Sequence, residues 1–375
     1  LAGIYIHIPF CRKACHYCNF HFSTSFSQRE RVLNAIRKEI ETTPPYFRLS
    51  EQVDTVYFGG GTPSLLTAAE LTAIMDALKR FNIKPGAEIT LEANPDDINP
   101  NSLESWLRSG INRLSIGIQS FDEAELRWMN RSHTADQSLR ALEDIAASGI
   151  KNYSADLIYG SPLSTREVLS RNLQLLTDAG VPHISCYALT VEPKTALDHK
   201  IQAALSAAPD PDVQWEQFHF VRETLGRAGY EHYEISNFAL PGMRSVHNSS
   251  YWKGVPYMGY GPSAHSFNGM ELRSWNISNN IEYTKLIEAG LPAGSGETLT
   301  LKERINERIM ISLRTIEGID LPAFEETFGT EAVELLIQRS KVYSNRGELL
   351  HENHVLRLSD SGKFLADGIA AGLFV

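Results

Sequence analysis

Six times in its first 190 residues the chain repeats one rhythm: a short run rich in β-branched residues, a turn, then an amphipathic stretch. The runs are Ile4–Ile8, Thr55–Phe58, Glu88–Glu92, Arg113–Ile118, Asn152–Ile158 and His183–Leu189. Between them, Val32, Leu33, Ile36 and Ile40 recur at helical spacing within Gln28–Glu41. Thr67 and Glu70 form a capping box ahead of Leu71, Ile74 and Leu78. Leu139–Ala147 and Val168–Ala179 follow the same logic. Strands alternating with helices predict an α/β fold with a parallel sheet. Six units are fewer than the eight of a closed barrel. The expectation is a partial (β/α)6 barrel rather than a doubly wound sheet.

Past the sixth run the rhythm stops. Ala203–Asp212 ("AALSAAPDPD") is small, polar and proline-bearing, and reads as a linker or lid loop. A helix near Trp215–Ala228 and a strand at His232–Ile235 follow, then loops to about residue 280. Thr300 and Glu303 cap a helix carrying Ile305, Ile309 and Leu313. Helices at Pro322–Thr327 and Glu331–Lys341, a hairpin of Glu348–His351 with Val355–Leu358, and a last helix over Ser361–Ala371 complete the reading. The division expected is a barrel over residues 1–210, a connecting α+β region over 211–290, and a winged-helix-like C-terminal domain over 291–375.

Charge narrows the function classes. The chain has 35 basic and 45 acidic residues, a formal charge of −10, which argues against general affinity for nucleic acid or anionic lipid. The last helix, "SGKFLADGIAAGLF", lacks the basic face that DNA requires. No apolar run reaches the roughly 18 residues that span a bilayer, and no basic, then apolar, then small-residue leader opens the chain. The expectation is a cytoplasmic protein. Four cysteines in 375 residues are too few for a disulfide scaffold.

Three of the four lie together in "HIPFCRKACHYCNFHF": Cys11, Cys15 and Cys18. By spacing they suit structural zinc, with His16 or His21 as fourth ligand. Cys15 and Cys18 also suit a redox pair. A [4Fe–4S] cluster normally takes four thiolates, and three would leave one iron open. Placement adds an argument. The triplet follows the first strand, so it lies at the rim where βα barrels gather their chemistry. Gly59-Gly60-Gly61-Thr62-Pro63 follows the second strand, Glu92 ends the third, Gln119 follows the fourth, Arg131 lies just beyond it, and Asp156 sits near the end of the fifth. Successive glycines let backbone N–H groups approach a ligand, and no Lys-Ser/Thr follows them as in a phosphate loop. Two acids, an amide and an arginine suit a zwitterion that carries hydroxyls. Taken singly, Gln119 and Asp156 also read as backbone-bridging groups and Tyr17 as core filling; their shared rim sets them apart. Cys186 reads as a small buried hydrophobe.

With these residues in place, the chain resembles the radical S-adenosylmethionine (SAM) proteins. Its specific resemblance is to the oxygen-independent coproporphyrinogen oxidase family and that family's haem-chaperone (HemW) branch. "YIHIPFCRKACHYC", "GGGTPS", "LEANP", "SIGIQSF", "NRSHT" and "DLIYGSP" match its motifs in order, and "YEISNFA" and "HNSSYW" extend the match beyond Phe267. The resemblance implies a [4Fe–4S] cluster on Cys11, Cys15 and Cys18, with SAM on the open iron. Tyr5, Tyr17, Gly60, Gly61, Thr62, Glu92, Gln119, Arg131 and Asp156 match the family's SAM contacts. Arg131 suits the methionine carboxylate and Asp156 a hydroxyl.

Phe20 and His247 separate the branches. The oxidases carry a fourth cysteine two residues after the third, where this chain has Phe20, as the chaperone branch does. In that branch, His-Asn-x-x-Tyr-Trp, here residues 247–252, is associated with haem. A neutral imidazole is a good iron ligand, and Tyr251 and Trp252 offer flat apolar faces. His247 is therefore the expected haem ligand, with His265 a second candidate. The resemblance implies a haem chaperone that hands haem to client proteins, membrane-associated ones among the candidates. The alternative is an enzyme, a coproporphyrinogen III oxidase that decarboxylates its substrate to protoporphyrinogen IX by radical chemistry. The C-terminal region is expected to cover the barrel mouth or to meet a client.

Overall fold

A computed structural model describes residues 2–46 and 51–375. The first half runs β1 (Gly3–Ile8), α1 (Arg29–Thr42), β2 (Gln52–Gly60), α2 (Ala68–Leu78), β3 (Asn82–Ala93), α3 (Pro100–Arg108), β4 (Arg113–Gln119), α4 (Glu123–Trp128), α5 (Ala135–Ser148), β5 (Asn152–Tyr159), α6 (Arg166–Asp178) and β6 (His183–Ala188). All six expected strands are present. The capping box expected at Thr67 and Glu70 closes α2 on both hydrogen bonds, and Val32, Leu33, Ile36 and Ile40 of α1 are buried.

The middle of the chain departs from expectation. After α7 (Ala196–Gln202) and α8 (Pro211–Arg227) come β7 (Glu231–Glu234), β8 (Asn237–Ala239), α9 (Val246–Trp252), β9 (Tyr257–Tyr260), β10 (His265–Phe267), β11 (Leu272–Asn276), α10 (Asn280–Glu288) and β12 (Gly294–Thr298). The loops expected up to residue 280 are in fact mostly short strands and a helix. They extend one twelve-stranded sheet, in the order β12-β11-β10-β9-β1-β2-β3-β4-β5-β6-β8-β7. β9 pairs parallel to β1, while antiparallel strands flank the parallel core on both sides. β12 and β7 do not pair, so the barrel is partial.

The remainder packs around its own core. It comprises α11 (Leu301–Leu313), β13 (Ile319–Asp320), α12 (Leu321–Phe328), α13 (Thr330–Asn345), β14 (Leu349–Glu352), β15 (Val355–Leu358) and α14 (Ala366–Leu373). β13, β15 and β14 form a small antiparallel sheet. Ile309, Leu336 and Leu356 are fully buried in this second cluster, separate from the sheet's core.

Strand alternation makes the barrel what it is. On β1 to β6, Ile4, Ile6, Val56, Phe58, Leu91, Leu114, Ile116, Ala155 and Ile184 belong to the apolar core. The alternate residues, Tyr5, His7, Tyr57, Glu92, Arg113, Ser115, Asp156 and Ser185, fall on the opposite face. Parallel strands covered on both faces usually read as continuous apolar runs. Here one face is polar and lines a lumen.

Candidate functional site

The mouth of the barrel holds a cavity of about 460 Å³. Every residue expected at the site lines it except Tyr5 and the two haem candidates, His247 and His265. Cys11, Cys15 and Cys18 come from the β1–α1 loop, held by the Cys11 N–H on Ser23 O at 3.1 Å and the His16 N–H on Met129 O at 3.0 Å. The Thr62 hydroxyl reaches Cys11 Sγ at 3.4 Å and Arg131 Nη1 reaches Cys15 Sγ at 3.3 Å. Burial pushes the Cys11 thiol up to about 11, against the Thr62 hydrogen bond, and raises Cys18 as well. The free thiols of Cys11 and Cys18 are therefore neutral at neutral pH, and a bound metal displaces their protons.

The glycines after β2 serve packing as much as ligand approach. A Cβ on Gly61 would stand 2.7 Å from Phe10 O and 2.9 Å from Ile8 O, both backbone atoms. Gly60 has φ +109° and its Cβ would meet the His7 ring at 2.7 Å. Only glycine lets the end of β2 lie against the end of β1 and bring Thr62 onto Cys11.

Two buried acids face the cavity. Glu92 accepts from the Tyr57 hydroxyl at 2.9 Å and from the Gly60 N–H. Burial pushes its carboxyl up to about 7, with Asp156 adding to the rise. Asp156 is raised to about 6 by burial, against hydrogen bonds from Ser185 and Ser115 and the charge of Arg113. Arg131 donates from Nη2 to Asn94 Oδ1 and to Gly117 O, both at 2.7 Å, and its Nε is buried with no hydrogen-bond partner. Gln119 adopts φ +66°, uncommon for a residue with a side chain. Its amide makes no side-chain hydrogen bond among the described residues. Tyr17 does both jobs weighed from sequence: it packs beside Met129, Ile158 and Leu197 and also borders the cavity.

These residues fit the group that the resemblance implies. Three thiols stand beside buried acids, an orphaned guanidinium nitrogen and an unpaired amide, which suits an iron–sulfur cluster with a zwitterion next to it. The zinc reading is not supported. His16 Nδ1 is 2.6 Å from Trp128 O, and His21 Nε2 is 2.7 Å from Asn280 Oδ1 in a different cavity. Among the described residues no group of three or more His, Cys, Asp or Glu is arranged around a single ion. A cubane places each thiolate on its own iron and needs no such convergence.

Tyr5 lines the neighbouring cavity, its hydroxyl 3.2 Å from His7 Nδ1. His247 differs more sharply from expectation. It is 2 % exposed, and both ring nitrogens are engaged: Nδ1 with the Thr55 hydroxyl at 2.8 Å, Nε2 with the Tyr251 hydroxyl at 2.9 Å. The ring stacks on Tyr57 with centroids 4.9 Å apart. Here His247 offers no free nitrogen to a metal. Burial, then Arg113, lowers its pKa to about 3, so it is neutral.

Sequence reasoning missed the floor of the lumen. Arg113 is 1 % exposed, and none of its guanidinium nitrogens has a hydrogen bond; its ion-pair partner Glu88 is 3.8 Å away. Glu88 in turn accepts from the backbone N–H groups of Val246 and His247 at 3.0 and 2.9 Å, anchoring the start of α9. The signal was available in the period-2 polar pattern of β3 and β4. The backbone N–H groups that Glu88 accepts from, 158 and 159 positions along the chain, were not.

Comparison with known proteins places this architecture. Residues 5–176 match the Radical SAM superfamily, and residues 299–365 match the HemN C-terminal domain. The haem chaperone HemW of Bacillus subtilis is 32 % identical, the alignment covering 98 % of each chain. HemW of Mycobacterium tuberculosis is 33 % identical over 99 % of this chain and 94 % of its own. The solved structure of coproporphyrinogen III oxidase (HemN) from Escherichia coli superposes with a TM-score of 0.85, covering all of this chain and 90 % of that one, at 23 % identity; this likeness speaks for the fold. No helix among the described residues is long and apolar enough to cross a membrane. The chain is a radical SAM protein and belongs to the HemW family.

Proposed function

We propose that this protein is a haem chaperone: it binds haem, hands it to client proteins in the cytoplasm, and carries a [4Fe–4S] cluster and SAM in the barrel mouth. The observation that carries this reading is the similarity to HemW relatives along nearly the whole chain; Phe20, standing where the resemblance implies a fourth cysteine in the oxidases, agrees with it. Cys11, Cys15 and Cys18 hold the cluster, with Thr62 and Arg131 donating to two of the sulfurs. Arg131 takes the carboxylate of SAM and Asp156 a ribose hydroxyl. Glu92 and Gln119 supply an acid and an amide to the remaining polar groups. When bound and reduced, such a cluster supplies an electron that cleaves the sulfonium of SAM. The oxidase-like fold keeps a second reading open, decarboxylation of coproporphyrinogen III, since both branches share the SAM-pocket residues.

One experiment separates the two. Anaerobically reconstituted protein is titrated with haem, following the Soret band. In parallel it is incubated with coproporphyrinogen III, SAM and a reductant. Haem binding near one per chain, without porphyrin formation, supports the chaperone. Protoporphyrin together with 5′-deoxyadenosine refutes it. Iron analysis of a Cys18→Ser variant tests the cluster separately: its iron content is expected to collapse.

A further inference from the structure

The three cysteines share one loop, and the residues between them are held in different ways. The Cys18 N–H makes only a short-range bond, to Cys15 O at 3.3 Å. The stretch from Arg12 to His16 is anchored at every residue to a distant part of the chain. Arg12 pairs with Asp96 at 3.4 Å and with Asp97. The Lys13 ammonium donates to Arg131 O at 3.2 Å. Ala14 O accepts from the Asn130 side-chain amide at 2.7 Å. Arg131 Nη1 reaches Cys15 Sγ at 3.3 Å. The His16 N–H donates to Met129 O at 3.0 Å, and His16 O accepts from the Leu197 N–H at 2.7 Å.

Two short segments supply nearly all of these partners. One is the turn between α4 and α5, which carries Met129, Asn130 and Arg131. The other is Asp96–Asp97, just beyond β3. They are joined to each other, since the Ser132 hydroxyl donates to Asp96 Oδ1 at 3.0 Å. Asp97 is buried, and its second oxygen accepts from the Ser64 hydroxyl at 2.6 Å. Ser64 follows Thr62, whose own hydroxyl reaches Cys11 Sγ. Asn130 has φ +60°, in the left-handed region where asparagine is enriched. Position 130 therefore calls for a residue that turns left-handed and still offers an amide.

All of these bonds join protein groups to one another, and none runs through iron. Ordering a loop costs conformational entropy. A ligand that has to order its own site binds more weakly by that cost. We propose that Arg12, Asp97 and Asn130 are positioning residues, which hold the cysteine loop in its cluster-bearing shape before iron arrives. This rests on the assignment of the cluster to Cys11, Cys15 and Cys18, and not on the haem reading. The turn between α4 and α5 then acts twice: Arg131 faces the SAM pocket while its neighbours grip the cysteine loop.

The test begins with full-length protein freed of iron by a chelator under reducing conditions. Hydrogen exchange read by mass spectrometry follows the peptide that spans Cys11–Cys18. In wild type its protected amides are expected to exchange about tenfold or more slower than in an unstructured chain. Arg12→Gln and Asn130→Gly should each speed that exchange about fivefold. Arg12→Lys, which keeps the charge, should stay near wild type. The Arg12→Gln/Asp97→Asn double variant should match Arg12→Gln alone, because both remove one interaction. After reconstitution, Arg12→Gln and Asn130→Gly should lose iron to a chelator about fivefold faster than wild type. Thermal melts are expected to be unchanged, since the Arg12 side chain is half exposed and glycine accepts the backbone of position 130. An iron-free wild-type loop that exchanges like unstructured chain overturns the proposal. So do variants that exchange and lose iron at the wild-type rate. If reconstituted wild type holds no iron, the cluster assignment fails instead, and exchange in the iron-free chain still decides whether the loop is preformed.

Discussion

His247→Ala tests whether this histidine is a structural strut or an exposed ligand. The substitution removes hydrogen bonds to Thr55 and Tyr251 and the stack on Tyr57. Thr55 is 1 % exposed, so its hydroxyl has no water to replace the lost partner. Each buried hydrogen bond contributes about 1 kcal/mol, and the emptied imidazole volume adds about 1–2 kcal/mol. A destabilisation of about 3 kcal/mol follows. In urea, at a slope of about 3 kcal/mol per molar for the barrel, the first transition moves down by about 1 M. Tryptophan fluorescence reads it.

The same variant carries a pH signature. The folded pKa of His247 is about 3, below the ordinary 6.5. At acid pH the unfolded chain takes up a proton that the folded one refuses. The contribution is therefore complete above pH 6.5 and is lost progressively as pH falls toward 3. At pH 5.5 the wild type has given up about 1.4 kcal/mol that the alanine variant never had. The gap should narrow from about 3 kcal/mol at pH 7.5 to about half that at pH 5.5. A midpoint shift below about 0.3 M, or a gap independent of pH, would refute the reasoning and return His247 to the ligand candidates.

Gly61→Ala places a methyl against Phe10 and Ile8 backbone; a cost of about 1–3 kcal/mol and reduced iron incorporation are expected, measured by thermal melts and iron analysis. Glu39→Gln reports a buried acid that accepts from Tyr283 and Asn276, both at 2.7 Å. Burial raises its folded pKa to about 7 from 4.5, so its stabilisation is complete below 4.5 and lost as pH rises through 7. Relative to wild type, the glutamine variant should gain on the order of 2–3 kcal/mol between pH 4.5 and 8, read by urea unfolding. A chain ending at Thr298 loses Arg304, Arg308 and Phe328 from the neighbouring cavity that Tyr5 lines, the larger of the two at about 620 Å³; its haem affinity should fall about tenfold or more in the same Soret titration, and unchanged affinity would place the ligand elsewhere.

The legible parts of this fold are those whose signals are local. The six parallel strands and the helices between them announce themselves by β-branched runs and by caps that act within four residues, as at Thr67 and Thr300. The strands β8 to β12 do not. β12 reads "GSGET" and is exposed throughout; it is a strand because β11 pairs with it, not because burial demands it. α9 begins at Val246 because Ser245 caps it and Glu88 accepts its first N–H groups. No window of sequence contains both ends of that contact. The site was legible where one loop carries its chemistry, as with the cysteines, and where residues share a strand end. The burial of His247 and the engagement of both its ring nitrogens were not legible, because a motif identifies a residue without its packing.

α9 is where these threads meet. It is seven residues long, pinned at its start by Glu88 and along one side by His247. Asn248 borders the cluster cavity, while Tyr251 and Trp252 line the larger one. Glu88, which holds the helix, is also the ion-pair partner of Arg113, whose charge bears on Asp156 in the cluster cavity. Two adjacent cavities therefore share a helix, a partition at Asn19–Phe20 and one buried charge network. A change at either cavity that moves this short helix must be felt at the other, because its anchors are buried hydrogen bonds that cannot stretch without leaving a polar group unpaired.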